Sequence, residues 1–270
     1  MTITTATKKD IENLKKIWVN IFGDSEEFAQ FAVNICSPNE IYLVKDNENI
    51  AAMAVCGIDV FAYGKKGFYI YGVATLPEYR NKGYAKNLIA HICDLKFKSG
   101  YDFSLTQPAN KGLFSFYEKL GFDTYTYLRK CDVNIKRNIW AKADFDTATA
   151  TRFPTLRSRF SEDEVVHFSS EGYEKFAQYI YTEGGSTAET ENAFCIYFIV
   201  DETILVRELF AKSTADANFI LQAVREQTGK SSAVLQLSKN SSLFTGMGEI
   251  CPHCLVKNLN EEIYANMMFD

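Results

Sequence analysis

Apolar positions recur at helical spacing over residues 8–22 and 26–35, which predicts two helices at the start of the chain. The pattern then changes. Residues 41–45, 50–63 and 67–75 are rich in β-branched and aromatic side chains, broken by Asp46-Asn47 and by Gly64-Lys65-Lys66. They read as three consecutive strands joined by tight turns. A helix follows over 84–98, with Ala85, Leu88, Ile89, Ile92 and Leu95 on one face and Gly100 as its stop. Residues 101–106 form a further strand, and a short helix begins at Asn110, carries Leu113, Phe116, Tyr117 and Leu120, and closes at Gly121. Residues 123–135 alternate as one bent strand or two short ones. This order of helices and strands is that of an α/β layer fold.

Beyond it, residues 136–160 are polar, Thr-rich and non-periodic up to Phe153-Pro154, and they read as a linker. Two domains are expected, 1–140 and 150–270. In the second, a segment 162–167 and a helix 170–181 precede strands 193–200 and 204–211, a helix 215–228 and a strand 233–238. Residues 250–258 and 263–269 are expected to close it as strands. The strand–strand–helix–strand order echoes the first domain, although the residues differ.

Composition narrows the class without naming a function. The chain has 270 residues, 47% hydrophobic and 23% charged, with 14% aromatics, enough for a sizeable core. Lys and Arg total 29 against 34 Asp and Glu, a formal charge of −5 that argues against non-specific binding to nucleic acid or anionic membrane. The N-terminal residues carry no apolar leader, and the longest apolar run, 193–200, falls short of the ~20 residues that span a bilayer. Seven cysteines scattered through apolar segments fit reduced thiols. The expected location is the cytoplasm.

The chemistry concentrates in Gly72-Val73-Ala74-Thr75-Leu76-Pro77-Glu78-Tyr79-Arg80-Asn81-Lys82-Gly83-Tyr84-Ala85. A strand runs into a proline-marked turn, and Arg-x-x-Gly-x-Ala opens an amphipathic helix. Gly83 permits close approach of the backbone, Ala85 leaves it unobstructed, and the free N–H groups of a helix start converge on an anion. Arg80 and Lys82 add charge suited to phosphate. A solvated basic turn is the bland alternative.

This window resembles the pyrophosphate loop of the GNAT superfamily of acyl-CoA-dependent N-acyltransferases, with Ala85 as a permitted variant. Asn110-Lys-Gly-Leu-Phe-Ser-Phe-Tyr117-Glu-Lys-Leu-Gly-Phe122 is similar to that family's second motif. The resemblance covers about residues 1–135. It implies a GNAT-like mixed central sheet flanked by helices, followed here by a second, smaller α/β domain of degenerate GNAT-like kind.

For the site, the resemblance implies that Val73, Ala74 and Thr75 pair with a pantetheine arm. Arg80, Asn81, Lys82, Gly83, Tyr84 and Ala85 would hold a pyrophosphate. Asn110 would reach the cofactor or merely cap its helix, and Tyr117 would protonate the departing thiolate or merely fill the core. The implied activity is transfer of an acetyl group from acetyl-CoA, as co-substrate and without a metal, to a primary amine of a small molecule or peptide. Direct attack is expected, because no cysteine stands in a nucleophile motif. The alternative is an inactive CoA-binding sensor or regulatory subunit. Asp59, Glu78 and the chain-terminal carboxylate of Asp270 are the candidate bases. Neither a nucleic-acid nor a membrane partner is expected, and the oligomeric state stays open.

Other signals fall away. Gly229-Lys230-Ser231 lacks an upstream glycine at Val224, and Gly246-x-Gly248 lacks a third glycine. Cys251-Pro-His-Cys254 has no second ligand pair at finger-like spacing. After strand 204–211 the chain reads Lys212-Ser-Thr-Ala-Asp216, so the second domain carries no cofactor loop.

Overall fold

The computed structural model describes residues 1–159, 164–266 and 269 of the chain. It divides into two compact units, Met1–Thr124 with Leu255–Asn260, and Tyr125–Cys254 with Glu261–Asp270.

The first unit contains β1 (Thr2–Thr5), α1 (Ile11–Phe22), α2 (Glu26–Asn34), β2 (Ile41–Asp46), β3 (Asn49–Ala62), β4 (Lys65–Thr75), α3 (Tyr84–Lys98), β5 (Phe103–Thr106) and α4 (Lys111–Glu118). Its sheet runs β1-β2-β3-β4-β5, antiparallel as far as β4. β4 and β5 are parallel, as a pair joined by the crossover helix α3 must be. Residues 255–257 lie antiparallel to β5 on its other edge. Strands β2 and β3 are buried along most of their length, so apolar residues run nearly continuously instead of alternating. Phe68, Ile70, Leu88, Ile92, Phe103 and Leu105 are each fully enclosed and form part of this unit's core.

The second unit contains most of β6 (Thr124–Asn134), then β7 (Asp144–Phe145), α5 (Phe153–Ser158), β8 (His167–Phe168), α6 (Ser170–Thr182), β9 (Ser186–Glu189), β10 (Ala193–Val200), β11 (Thr203–Ala211), α7 (Thr214–Thr228), β12 (Ser232–Ser238) and the first residues of β13 (Glu249–Lys257). Its sheet runs β6-β12-β11-β10-β9-β7. Here too the one parallel pair among the described ladders, β11 with β12, is joined by a crossover helix, α7. Ile204, Val206, Ile220, Leu221, Val224 and Leu235 form its core.

The expected class, a mixed sheet with flanking helices, is what both units show. Of the two readings open for residues 123–135, the structure has the single strand, Thr124–Asn134. Two local expectations need correction. Residues 136–159 of the expected linker are not free: they carry β7 and α5, they bury Ala148, Phe153 and Leu156, and Arg152 pairs with Glu189 at 2.6 Å. Segment 263–269 makes no ladder among its described residues and contributes only an isolated bridge from Tyr264 to Val165. Residues 162 and 163 of the expected segment 162–167, and Asp270, lie outside the described residues.

Candidate active site

β4 pairs with β5 through four residues, Gly67 to Ile70 opposite Phe103 to Thr106. Past that point no β4–β5 pair occurs among the described residues, while β4 continues on β3 to Thr75. The separation coincides with a bulge. Met53 faces Ala74 and Val55 faces Tyr71, so one residue of β3 stands opposite two of β4, Gly72 and Val73. Gly72 sits at φ +57°, where a side chain is strained. The edge of β4 that carries Val73, Ala74 and Thr75 therefore leaves β5 with peptide groups available to an extended ligand.

From Thr75 the chain turns through a short 3-10 helix, Pro77–Tyr79. The N–H groups of Leu76, Tyr79 and Arg80 are satisfied by Ala51, Leu76 and Pro77. Those of Asn81, Lys82, Gly83, Tyr84 and Ala85 donate to no backbone carbonyl among the described residues. Two left-handed residues shape this turn, Asn81 at φ +62° and Gly83 at φ +79°. Gly83 stands at the N-cap of α3 with no side chain to close it. An added Cβ would meet only Asn87 Nδ2 at 4.0 Å, so the space beyond is open. Tyr84 anchors the helix start by donating to Asp46 Oδ2 at 2.9 Å, and that bond raises its pKa. This is a helix start with its positive end and its donors exposed, the local chemistry that binds phosphate. Thr75 Oγ1, buried with no partner among the described residues, is a further donor left for a ligand.

The two basic side chains are partly engaged. Arg80 Nε donates to Thr75 O at 3.3 Å, and Lys82 Nζ lies 4.9 Å from the centre of the Tyr79 ring. Both residues are exposed.

Tyr117 is enclosed on α4, edge-on to Phe116 at 5.1 Å and to Phe122 at 5.7 Å. Burial pushes its phenol up to about 12, and its hydroxyl hydrogen-bonds with Thr106. Thr106 Oγ1 in turn donates to Ile70 O at 3.0 Å. The phenol is thereby tied to the last β4–β5 pair. Val73–Thr75, Arg80–Ala85 and Tyr117 all gather at this end of the strand pair. Asn110 is used as a helix cap: its side chain accepts from Gly112 N at 3.0 Å.

The candidate bases fare differently. Asp59 faces Phe68 near the opposite end of β4 and is held by Lys66 Nζ at 2.8 Å and Tyr101 at 2.7 Å. Glu78 lines a polar hollow of about 450 Å³ with Asn13, Lys16, Asn20 and Tyr79. Burial raises Cys56 to about 12 and Cys93 to about 11, which leaves these thiols inert as nucleophiles. No group of three potential ligands that could hold a metal occurs among the described residues, and no helix there is long and apolar enough to cross a membrane. Gly72 and Thr106 are the site features that strand periodicity hides. A glycine inside a strand pattern was the available signal for the bulge.

Residues 11–122 match the Acetyltransferase (GNAT) family. It is 30% identical over 99 residues to N-alpha-acetyltransferase 30 of Schizosaccharomyces pombe, a match that takes in 36% of this chain and 66% of that protein. In structure it is similar to a GCN5-related N-acetyltransferase from Kribbella flavida, with a TM-score of 0.72 at 17% identity over 96% of this chain and 71% of the other. It is also similar to a tandem GNAT protein from the clavulanic acid biosynthesis pathway, with a TM-score of 0.60 at 9% identity over 94% and 97%. At such identities these two structures speak for the fold alone.

Proposed function

We propose that the first unit moves an acetyl group from acetyl-CoA to a primary amine by direct attack in a ternary complex. The observation that carries this reading is the coincidence of two openings: β4 parts from β5 at Ile70 and Thr106, and the same strand leads into an uncapped, glycine-started helix. N–H groups between Asn81 and Ala85 hold the pyrophosphate. Peptide groups of Val73–Thr75 align the pantetheine arm, and an N–H near the bulge donates to the thioester oxygen, where negative charge grows in the transition state. The amine nitrogen bonds to the acetyl carbon as the carbon–sulfur bond breaks. Tyr117 supplies a proton toward the departing sulfur, and the surplus proton shed by the acylated nitrogen, passed on through water, restores the phenol. With its phenol near 12 this donor stays protonated throughout the working range.

The amine must arrive neutral. Neither Asp59, tied to Lys66 and Tyr101, nor exposed Glu78 offers a desolvated base. That favours an acceptor that loses its proton unaided. An α-amine, with a pKa near 7.7–8.0, does so far more readily than a lysine near 10.4. The relative named for N-alpha acetylation supports the same class. The decisive measurement is thiol release from acetyl-CoA over a panel of free α-amino peptides, lysine side chains in N-blocked peptides, and small amines. Release with α-amines at pH 7.5 is the expected result. Tight acetyl-CoA binding with no release across the panel would leave a binding protein and overturn the proposal.

A further inference from the structure

We infer that Trp18 is a positioning residue, whose indole, oriented by Asp24, sets the β4 bulge that presents the polarising N–H groups. The inference rests on reading β4 as the carbonyl-binding strand. A Cβ built on Gly72 would lie 2.6 Å from Trp18 Cζ3, 2.8 Å from its Cη2 and 3.3 Å from Val55 Cγ2. The six-membered ring of Trp18 thus fills the place where any other residue would put its first side-chain carbon. Glycine and tryptophan form a matched pair here: the missing Cβ admits the ring, and the ring keeps the peptide at φ +57° from relaxing.

The ring is itself fixed. Trp18 lies on α1 at 5% exposure, and its Nε1 donates to Asp24 Oδ2 at 2.8 Å. Phe22 packs against it at 4.8 Å and Phe28 meets it edge-on at 6.3 Å. Asp24 stands in the turn between α1 and α2, just past the left-handed Gly23 that ends α1. One rigid indole therefore connects this turn to the bulge. Main-chain donors act on a developing oxyanion only within about 2.7–3.1 Å, so a bulge that slides loses the interaction even where the pantetheine arm still binds. Trp18 need not touch the substrate to govern the rate.

The test uses the full chain and [1-13C]acetyl-CoA, with the carbonyl stretch of the bound thioester read by difference infrared spectroscopy beside calorimetric Kd values for CoA and acetyl-CoA. In the wild-type protein the stretch should fall below that of free acetyl-CoA. Trp18→Phe deletes the atoms that face Gly72 and the N–H, so the stretch should return toward the free value. Its turnover should drop about 10- to 100-fold while CoA affinity stays within about threefold. Asp24→Leu should act in the same direction without opening a cavity beside Gly72, which keeps the inference testable if Trp18→Phe folds poorly. Asp24→Asn retains an acceptor oxygen and should keep the wild-type frequency. A shifted wild-type carbonyl that both Trp18→Phe and Asp24→Leu leave in place would show that Trp18 is only a core residue. A wild-type carbonyl with no shift would overturn the role of β4, and this inference with it.

Discussion

In β4–α3–β5 the parallel ladder runs four pairs and ends at Ile70–Thr106; in β11–α7–β12 it runs four pairs and ends at Val206–Leu235. Beyond their ladders the two crossovers differ in both respects that matter for a ligand. The first gap opens beside exposed N–H groups. In the second unit the chain's own residues 263–266 occupy the corresponding place. Tyr264 Oη donates to Gln236 O of β12 at 2.9 Å, and Asn266 Nδ2 donates to Arg207 O of β11. Arg207 Nε returns a bond to Asn266 O at 3.2 Å, and residues 263–266 are almost wholly buried. The helix starts differ as well. α3 begins at a bare left-handed glycine, whereas Ser213 caps α7, accepting from Asp216 N at 3.1 Å while its hydroxyl donates to the Asp216 carboxylate at 2.5 Å. That carboxylate already satisfies the positive helix end and would repel a phosphate. The two crossovers thus share a fold but not the features that would face a ligand.

The comparison breaks most visibly at Tyr117. Tyr117→Phe removes only the hydroxyl from a ring already packed by Phe116 and Phe122, so the melting temperature should barely move. Turnover should fall about 10²- to 10⁴-fold with acetyl-CoA affinity nearly kept. Equal losses of affinity and turnover would make Tyr117 a packing residue, and the first unit would then differ from the second in binding alone.

Gly83 sharpens the same contrast at the level of affinity. Gly83→Val places a β-branched residue at φ +79° and a side chain in the open space before α3. Left-handed strain costs roughly 1–2 kcal/mol of stability, and acetyl-CoA affinity should fall about 10- to 100-fold. Calorimetric titration of the wild-type chain should return one acetyl-CoA per chain, since the second gap is filled and its helix is capped. A stoichiometry of two would end the distinction between the units.

Much of this was legible in the sequence, and the rest was hidden for identifiable reasons. The run of β-branched and aromatic residues marked β2, β3 and β4, and Pro77 with Gly83 marked the loop between β4 and α3. The bulge at Gly72 announces itself only as a glycine in a strand, and the residue that answers it, Trp18, lies on a distant helix, where no local pattern connects them. β7 and α5 escaped because they are too short to show a period, and this segment is held by tertiary bonds such as Asp146 Oδ1 accepting from Thr187 N at 2.9 Å. Residues 263–266 have the apolar character of a strand, yet the backbone of Tyr264 makes only an isolated bridge, and toward β11 and β12 Tyr264 and Asn266 reach with side-chain atoms. Local periodicity does not register that difference.

The second unit's own interior offers a pH test. His167 Nδ1 lies 3.0 Å from Tyr173 Oη, which Arg157 also contacts at 3.0 Å, and Arg157 grips Glu208 through two bonds of 2.8 and 2.9 Å. Burial, and then the nearby Arg157 charge, lower His167 to about 4. An unfolded histidine titrates near 6.5, so between pH 6.5 and about 4 the unfolded chain binds the extra proton and stability falls. Above 6.5 both states are neutral and this effect vanishes. Scanning calorimetry between pH 7 and 4.5 should show the decline, and His167→Gln should flatten that part of it. An unaltered slope in the variant would assign the acid sensitivity to other groups.

The smallest expected effect belongs to Ser213, and it asks whether the second helix start has any part in binding. Ser213→Ala removes the side-chain acceptor of Asp216 N, a loss typically near 1 kcal/mol at an N-cap, or a few degrees in melting temperature for this size of unit. Asp216 remains, and its carboxylate still opposes an anion at the exposed helix end. The gap beyond Val206 and Leu235 also remains filled by Tyr264 and Asn266. Both obstacles outlast the substitution, so the Kd for acetyl-CoA should be unchanged within error, in contrast to Gly83→Val. A weakened Kd in Ser213→Ala would tie the second crossover to cofactor binding; a tighter one, or a second bound acetyl-CoA, would show that the serine cap alone had kept the second site closed.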